Sequence, residues 1–387
     1  MKIFCLGGAG RICREAVLDL VQFSLAERIT LADLNEPEGR AVAAWLNDPR
    51  VDFVRTDCTD RIGTVAQMRG YDVVMDGTTI ALNGISAACI AEAGCHGINL
   101  NGFGEEDAAA PVFCREGKAC VPGFGMTPGI TQMMAVHAAS GMDSVESVRI
   151  SHGAYRPIAF SASIAETTTY EYDPKLPGRV VYEDGEFIQV PPFSRPLDIA
   201  LPEPYGAAPQ YIIPHAETRT LAKYLQPKGV RLIEVRGTWP PKNMQIIRAL
   251  YDWGFLRNDR VKVRGVEFGV MEAVAAHLLQ STEGRETELY GYALHVEVVG
   301  MRGPEKVRHT LWHTHPTSDG TVPDWAGLRA YTRNVGIPLA IGAVMLGQGR
   351  APGTGILSPE EAFEPAAVFE ELKKRGIFIH EQIDPVP

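Results

Sequence analysis

A glycine loop near the amino terminus has the residue types and spacing that bind a pyrophosphate. Gly8 and Gly10 follow a predicted buried strand over residues 2–6 and precede a predicted helix over about 11–22. The amino end of a helix offers unpaired N–H groups and a positive dipole end to an anion. We expect Gly8 to form the tight turn and Gly10 to let phosphates approach the backbone, with Arg11 and Ile12 opening the helix beside them. Cys13 takes the third position, where a small side chain still permits close helix–strand packing.

An aspartate at the end of the second predicted strand strengthens this interpretation. Asp33 lies 23 residues beyond Gly10, where an acidic residue binds the adenosine ribose in dinucleotide-binding folds. A carboxylate there accepts hydrogen bonds from the ribose hydroxyls and repels a 2′-phosphate, so the sequence predicts NAD, with NADP as the alternative. The competing interpretation is a structural turn followed by a surface aspartate.

Further candidate cofactor contacts follow the next three predicted strands. Asp57 and Cys58 come after the third strand, Thr78 and Thr79 after the fourth, and Asn101 after the fifth. The carboxyl ends of parallel strands lie on one edge of the sheet, where the ligand crevice forms. The first pair would flank the adenine, and the second pair would lie near the nicotinamide ribose. Because these residues are also common in turns, turn formation alone is the alternative explanation.

The order of elements predicts two domains. Up to residue 121 short apolar runs alternate with helical segments, which indicates an α/β fold, a Rossmann doubly wound parallel sheet. Residues 144–330 contain longer strands and Pro-rich connections, typical of an α+β domain around a mostly antiparallel sheet. Ser358 begins a capping box whose helix should run to residue 375, before a last strand over 377–382. We therefore predict a dinucleotide-binding domain of residues 1–127, completed by 327–387, and an inserted substrate and dimerisation domain over 128–326.

Composition excludes several classes of protein. The 387 residues carry 37 basic and 47 acidic side chains, a net charge of −10, which argues against binding to nucleic acid or anionic membrane. No apolar run approaches the roughly 20 residues of a membrane span, and the amino terminus is unlike a signal peptide, so we expect a cytoplasmic protein. The seven cysteines, all before residue 121 and without a CxxC pair, predict reduced thiols. His309, His313 and His315 lack carboxylates at ligand spacing, so we expect a solvated strand end and no metal site.

Together these segments resemble the saccharopine dehydrogenase family, in particular its shorter members of the lysine 6-dehydrogenase type. The resemblance covers nearly the whole chain. It rests on the glycine loop, LADLN at 31–35, GMTPGIT at 125–131, IIRALYDWGF at 246–255 and FEELKKRGI at 369–377. The chain has Pro-Gly-Phe at 122–124, where lysine 6-dehydrogenases look to have an acidic residue, so the amine substrate is left open.

The resemblance implies an NAD(P)-dependent oxidoreductase that acts on the C–N bond of an amino acid or its imine. It implies His215 as a general acid–base and Arg219 as a bidentate clamp for a substrate carboxylate. A loop histidine and a surface arginine are the alternatives. Glu166 and Tyr170 are weaker candidates for binding the small amino-acid or amine substrate, and ordinary helix packing is the favoured interpretation for both.

Two other functions remain open at this point. One is a polyamine imine reductase like carboxynorspermidine dehydrogenase. The other is a catalytically inactive NAD-binding regulatory protein. By fold analogy we also expect a homodimer.

Overall fold

The computed structural model describes residues 1–257, 259–280 and 289–386, apart from the side chains of Ala162, Glu166, Thr169 and Tyr170. The chain forms two compact units. Unit 1 comprises Met1–His137 and Thr332–Phe378, and unit 2 comprises Ala138–Tyr331 and Ile379–Pro387.

Strands and helices alternate through the first 140 residues. They are β1 (Lys2–Leu6), α1 (Cys13–Phe23), β2 (Arg28–Asp33), α2 (Glu36–Leu46), β3 (Val51–Arg55), α3 (Arg61–Met68), β4 (Val73–Asp76), α4 (Ile80–Ala93), β5 (His96–Asn99), α5 (Ala110–Arg115), β6 (Ala119–Val121) and α6 (Ile130–Ser140).

Strands predominate in the middle of the chain. The elements are β7 (Ser144–Tyr155), α7 (Ala162–Tyr170), β8 (Val180–Glu183), β9 (Glu186–Gln189), β10 (Leu197–Leu201), β11 (Gly206–Ile212), α8 (Glu217–Leu225), β12 (Leu232–Thr238), α9 (Pro241–Asp252), β13 (Arg260–Val263), β14 (Val266–Gly269), α10 (Val270–Gln280), β15 (Gly291–Arg302) and β16 (Glu305–Thr314).

The last part of the chain contains α11 (Arg329–Gly347), β17 (Gly355–Ile356), α12 (Pro359–Ala362), α13 (Pro365–Lys373) and β18 (Phe378–Pro385).

The sheet of unit 1 is parallel, with the order β17-β6-β5-β4-β1-β2-β3. This is the doubly wound order, in which the strands on either side of β1 are reached by crossovers of opposite direction. All four residues of β4 are buried, and α1 buries Ala16, Val17 and Leu20. Strands covered on both faces explain the continuous apolar runs of the sequence. The predicted α/β fold class is confirmed.

Unit 2 is built on a mixed sheet with the order β10-β11-β12-β7-β15-β16-β18, to which β8 and β9 are added beside β12. β12 pairs in parallel with β7, whereas β15 pairs in antiparallel fashion with both β7 and β16. A separate hairpin consists of β13 and β14. The predicted α+β character is therefore present, with one parallel pair at the centre of the sheet.

Two details near the carboxyl terminus differ from the sequence-based expectation. The Ser358 capping box forms, but the helix ends at Ala362 and a new one begins at Pro365. Because a residue before proline is driven away from the helical region, Glu364 is extended and the predicted single helix is broken. The last strand was expected to pack on the first domain, and instead β18 lies beside β16 in the sheet of unit 2.

Among the described residues we find no helix with the length and apolar character that a membrane span requires. The thiols of unit 1 are unpaired, and all are buried except that of Cys114.

Candidate functional site

The glycine loop of unit 1 connects β1 to α1, and its conformation depends on Gly7. Gly7 has a φ of +68°, and a Cβ atom there would lie 2.8 Å from the carbonyl oxygen of Gly77. Gly8 has no positive φ, but a Cβ atom there would lie 2.7 Å from the carbonyl oxygen of Cys5. The tight turn therefore belongs to Gly7 and not, as predicted, to Gly8, which is needed for close approach to β1.

The amino end of α1 is open to an anion. Ile12 caps the helix without a side-chain hydrogen bond. The backbone N–H groups of Arg11 and Ile12 have no acceptor among the described residues, and Gly10 and the Arg11 side chain are exposed. Unpaired N–H groups at an uncapped helix start fit the pyrophosphate of a dinucleotide.

Asp33 is held in place at the end of β2, directly beside the loop. Its Oδ2 accepts a hydrogen bond from the N–H of Ala9 at 3.2 Å, and its Oδ1 accepts one from the N–H of Asn35 at 2.9 Å. The carboxylate is therefore oriented before any ligand binds, as a residue that recognises ribose hydroxyls requires.

The residues that follow β3 are arranged less favourably for ligand contact. The exposed Asp57 carboxylate accepts hydrogen bonds from the backbone and hydroxyl of Thr59, which lowers its pKa. The Cys58 thiol is buried in the core cluster of unit 1, and this burial raises its pKa. These side chains perform turn and packing roles, so their predicted cofactor contacts stay predictions.

Polar side chains meet at the carboxyl ends of β4 and β5. Asp76 accepts hydrogen bonds from the N–H of Thr78 at 2.9 Å and from Asn83 Nδ2 at 3.1 Å. Asn101 in turn donates a hydrogen bond to Asn83 Oδ1. Thr79 begins α4 as its N-cap residue. The predicted residues Thr78, Thr79 and Asn101 therefore lie at one end of the parallel sheet.

A second group of candidate residues lies inside unit 2, around His215. The Nδ1 atom of His215 lies 3.3 Å from Oε2 of Glu217, and the two side chains are 8% and 0% exposed. Burial alone would lower the pKa of His215, but Glu217, and more weakly Glu171, raise it above its ordinary value. A histidine with an acidic orienting partner is suited to proton transfer.

His215 is one end of a column of stacked rings. His152 lies 5.6 Å from the ring of His215 and 5.6 Å from that of Tyr292, and Tyr331 lies 5.3 Å beyond Tyr292. Neither ring nitrogen of His152 has a hydrogen-bond partner among the described residues. Burial lowers the pKa of His152 to about 3, so the imidazole is neutral and offers one donor and one acceptor.

Gly237 makes room for this column. It lies opposite His152 across the parallel β12–β7 pair, and a Cβ atom there would lie 2.7 Å from His152 Nε2. We did not single out His152 from the sequence, because its partner His215 is distant along the chain and the pairing exists only once β7 and β12 are neighbours.

Buried charges accompany the ring column. Arg156 donates to the carbonyl oxygens of Pro157 at 3.0 Å and Ile158 at 3.1 Å, and its guanidinium lies 5.5 Å from the Tyr331 ring. The Nε of Arg156 and the Oε2 of Glu171 have no hydrogen-bond partner among the described residues. Burial raises the pKa of Glu171. An unsatisfied cationic donor and an unsatisfied carboxyl oxygen are costly inside a protein unless a ligand meets them.

The other predicted substrate residues do not join this cluster. Arg219 is exposed, and its guanidinium lies over the ring of Phe187 at 5.2 Å. It falls on the outer face of α8, whose inner face buries Thr218, Leu221 and Leu225. The placement therefore gives the predicted carboxylate clamp no support. Glu166 and Tyr170 belong to α7, but their side chains lie outside the described residues.

The three histidines around β16 are largely buried, so the expectation of a solvated strand end was wrong. His309 Nε2 lies 2.9 Å from Glu381 Oε2 on β18. The Nδ1 atom of His313 accepts a hydrogen bond from the N–H of Leu294 at 3.2 Å, and its ring stacks on His315. No cluster with enough ligands to hold a metal ion occurs in the described part of the chain.

Comparisons with known proteins cover nearly the whole chain. Family models match residues 3–119 as a saccharopine dehydrogenase NADP binding domain and residues 125–377 as a saccharopine dehydrogenase C-terminal domain. A carboxyaminopropylagmatine dehydrogenase from Synechocystis sp. is 22% identical over 404 residues, which cover 98% of this chain and 97% of the relative.

Two solved structures share the fold over nearly their full length. Saccharopine dehydrogenase (L-Glu forming) from Saccharomyces cerevisiae has a TM-score of 0.73 at 15% identity, covering 99% of each chain. Homospermidine synthase from Legionella pneumophila, solved with NAD, has a TM-score of 0.65 at 12% identity, covering 98% of this chain and 91% of the other.

Proposed function

Because the chain belongs to the saccharopine dehydrogenase family, we propose that it reduces an imine joining a carboxylate-bearing arm to an amine, or oxidises the corresponding secondary amine. The family consists of NAD(P)-dependent oxidoreductases that act on amines and imines, and this chain is such an enzyme, with an NAD(P)-binding domain. The proposed substrate class rests on one observation, which is that Nε of Arg156 and Oε2 of Glu171 lack hydrogen-bond partners among the described residues beside the ring column of unit 2.

The unsatisfied groups define what a ligand must carry. The free Nε–H of Arg156 suits a carboxylate, since a charge-assisted hydrogen bond is stronger than a neutral one. The free oxygen of Glu171 suits an ammonium or guanidinium group, and the ring of Trp239 beside His152 is an aromatic neighbour of the kind that accompanies such cations. A substrate with both an anionic and a cationic arm satisfies these groups together.

The chemistry needs a proton at the substrate nitrogen. A bound dinucleotide supplies the hydride donor or acceptor for the carbon of the C–N bond. His215, held by Glu217 through Nδ1, is the group that we assign to proton transfer. Because its pKa is raised, it is protonated at lower pH and donates to the nitrogen during imine reduction. In the oxidative direction the neutral form accepts that proton. His152, which stays neutral, orients the nitrogen by hydrogen bonding.

Two variants of the substrate assignment remain as candidates. The Synechocystis relative, by its name a carboxyaminopropylagmatine dehydrogenase, favours an amine arm of the polyamine type. Oxidation of a primary amine in the manner of lysine 6-dehydrogenase is the second candidate. A preference for NAD over NADP is proposed from the fixed carboxylate of Asp33.

The test is a substrate screen with two matched pairs of variants. Aldehyde or keto acids are mixed with lysine, ornithine, agmatine or a diamine, and the absorbance of NADH or NADPH is followed. H215Q should lose most of the rate, whereas H277Q, at an exposed histidine of α10, should keep it. R156K should have a raised KM for the substrate, whereas R219Q should have nearly the same KM as the wild type. If the wild type turned over no combination of carbonyl acid and amine, or if H215Q were fully active, the proposal would be overturned.

We further propose that the enzyme is a cytoplasmic homodimer. The support is fold analogy alone for the dimer and the free, mostly buried cysteine thiols for the compartment. Sedimentation of the purified chain at micromolar concentration tests the oligomeric state, and a single monomeric species would contradict it.

A further inference from the structure

A continuous network of buried and partly buried polar groups links the carboxyl ends of β4 and β5 in unit 1. It consists of Asp76, Asn83, Asn101, Asn99 and Glu106, and we call it the β4–β5 network. A carboxyl group stands at each end, and the three amides lie between them. The hydrogen bonds of such a network orient the Asn83 and Asn99 amides, because the nitrogen of each donates to a carboxyl oxygen and the oxygen of each accepts from an N–H group.

The Asp76 end is fully hydrogen-bonded. Asn83 Nδ2 donates to Oδ2 of Asp76, the hydroxyl of Ser86 donates to the same oxygen, and the N–H of Thr78 donates to Oδ1. Asn83 Oδ1 then accepts a hydrogen bond from the side chain of Asn101. Of the residues predicted to contact the cofactor, Thr78 is therefore held by this carboxyl group directly, and Asn101 is held by it through Asn83.

The Glu106 end is hydrogen-bonded on one side only. Asn99 Nδ2 donates to Oε1 of Glu106, while Oε2 has no partner among the described residues and the side chain is 0% exposed. The carbonyl oxygen of the Asn99 side chain accepts from the N–H of Asn101 at 2.9 Å and from the N–H of Gly123 at 3.2 Å. Through Asn99, Glu106 therefore fixes the backbone where β5 and β6 end.

These positions belong to the half of the sheet that binds the nicotinamide nucleotide. Asp33 and the glycine loop mark the adenosine side, at β1 and β2. In a doubly wound fold the second mononucleotide lies across the strands on the other side of β1, which are β4, β5 and β6 here. The free oxygen of Glu106 thus lies in a half of the fold where the ligand changes its charge during the reaction.

We propose that Glu106 is a positioning residue for the nicotinamide nucleotide, and that loss of its proton favours the oxidised coenzyme over the reduced one. The nicotinamide ring carries a positive charge when oxidised and none when reduced. A buried carboxylate with an unsatisfied oxygen is stabilised by a nearby cation and gains nothing from a neutral ring. The inference rests on the proposed coenzyme of this enzyme.

Two other carboxyl groups, those of Glu105 on the same loop and Asp76 at the end of β4, raise the pKa of Glu106. The Cys120 thiol on β6 is uncharged near neutral pH, because burial raises its pKa well above the ordinary value. Burial, and then these carboxyl groups, raise the pKa of Glu106 to about 7 against the hydrogen bond from Asn99, which lowers it. From α4 the network receives only the uncharged side chains of Asn83 and Ser86. The proton of Glu106 is therefore exchanged close to neutral pH.

The test measures coenzyme binding by the full chain without substrate. The dissociation constants of NAD⁺ and NADH are determined at pH 6, 7 and 8 for the wild type, E106Q and the exposed control E116Q. The wild-type ratio Kd(NADH)/Kd(NAD⁺) should rise about fivefold from pH 6 to pH 8. This is the size expected when the attraction between one carboxylate and the nicotinamide cation is partly screened by the protein and solvent. E106Q, which keeps the acceptor for Asn99 but cannot ionise, should give a constant ratio, and E116Q should behave as the wild type.

A second measurement needs no variant. Calorimetry at pH 7 in two buffers of different ionisation enthalpy should show proton release on binding of NAD⁺ and none on binding of NADH. Equal proton release for both coenzymes, or an E106Q ratio that still rises with pH, would overturn the inference while leaving the proposed function intact. A wild-type chain that binds neither coenzyme would overturn both.

Discussion

The fit between Cys13 and Gly77 provides a quantitative test of how the dinucleotide loop is built. Cys13 occupies the position that is usually glycine, and its sulfur packs on the turn after β4. A Cβ atom added at Gly77 would lie 1.8 Å from Cys13 Sγ, whereas its next contacts are Cys13 Cβ at 3.2 Å and the carbonyl oxygen of Leu6 at 3.4 Å. The conflict therefore comes almost entirely from one sulfur atom.

The expected loss of unfolding free energy in each variant follows from that geometry. Gly77 has no positive φ, so alanine is conformationally acceptable and the cost of G77A is overpacking, about 2–3 kcal/mol of unfolding free energy. C13A removes one buried atom and should cost about 1 kcal/mol. In the double variant the remaining contacts are ordinary or slightly tight, so its cost should be close to that of C13A alone. The expected coupling energy is about −2 to −3 kcal/mol.

Denaturant unfolding of the four proteins, with NADH binding measured in parallel, checks this cycle. G77A should weaken NADH binding as well, because Gly77 also contacts Gly7 of the loop, and C13A should restore it. If the costs of the two substitutions simply add, then Cys13 does not fill the place left by Gly77 and our account of the third position is wrong.

Three further predictions concern the charged residues. D33A should shift the ratio of NADPH to NADH affinity at least about tenfold towards NADPH; an unchanged ratio in binding titrations would contradict the role of the carboxylate. E217Q should lower the pKa of His215, since burial remains while the counter-charge is lost. As the pH is raised, the rate of imine reduction should therefore decline at a lower pH in E217Q than in the wild type. A superimposable pH–rate profile would argue against the interaction between His215 and Glu217. R375A leaves the buried Asp19 carboxylate without its partner at 2.8 Å and should cost about 3–5 kcal/mol in unfolding experiments, whereas R248A on the exposed face of α9 should cost little.

Local features of the sequence predicted the fold of unit 1 well. The glycine loop and Asp33 are close to each other in the parallel pair β1–β2, so a short motif carries most of the information about them. The assignment of the turn to Gly8 failed at the level of a single residue, because two adjacent glycines serve different purposes: Gly7 adopts the positive φ, and Gly8 leaves space beside Cys5.

The cluster around His215, which we propose binds the substrate, was harder to predict because it forms through long-range pairing. His215 could be proposed, but His152 joins it only through the alignment of β7 with β12. For Arg219, the sequence contained a pattern that argues against a place in this cluster. The helical spacing of Thr218, Leu221 and Leu225 marks the inner face of α8, and Arg219 does not share it. Arg156 follows a long strand with no local motif to mark it.

Unit 2 takes its last strand from the far end of the chain, and this affects how the inserted unit can be isolated. A fragment that stops at Tyr331 would lack β18 and leave β16 as an open edge, where Glu381 and His380 no longer cover His309 and Trp312. Open edges invite strand addition between molecules. Excision of this unit for separate expression would therefore call for residues 379–386 to be grafted back, or supplied as a peptide that completes the sheet in trans.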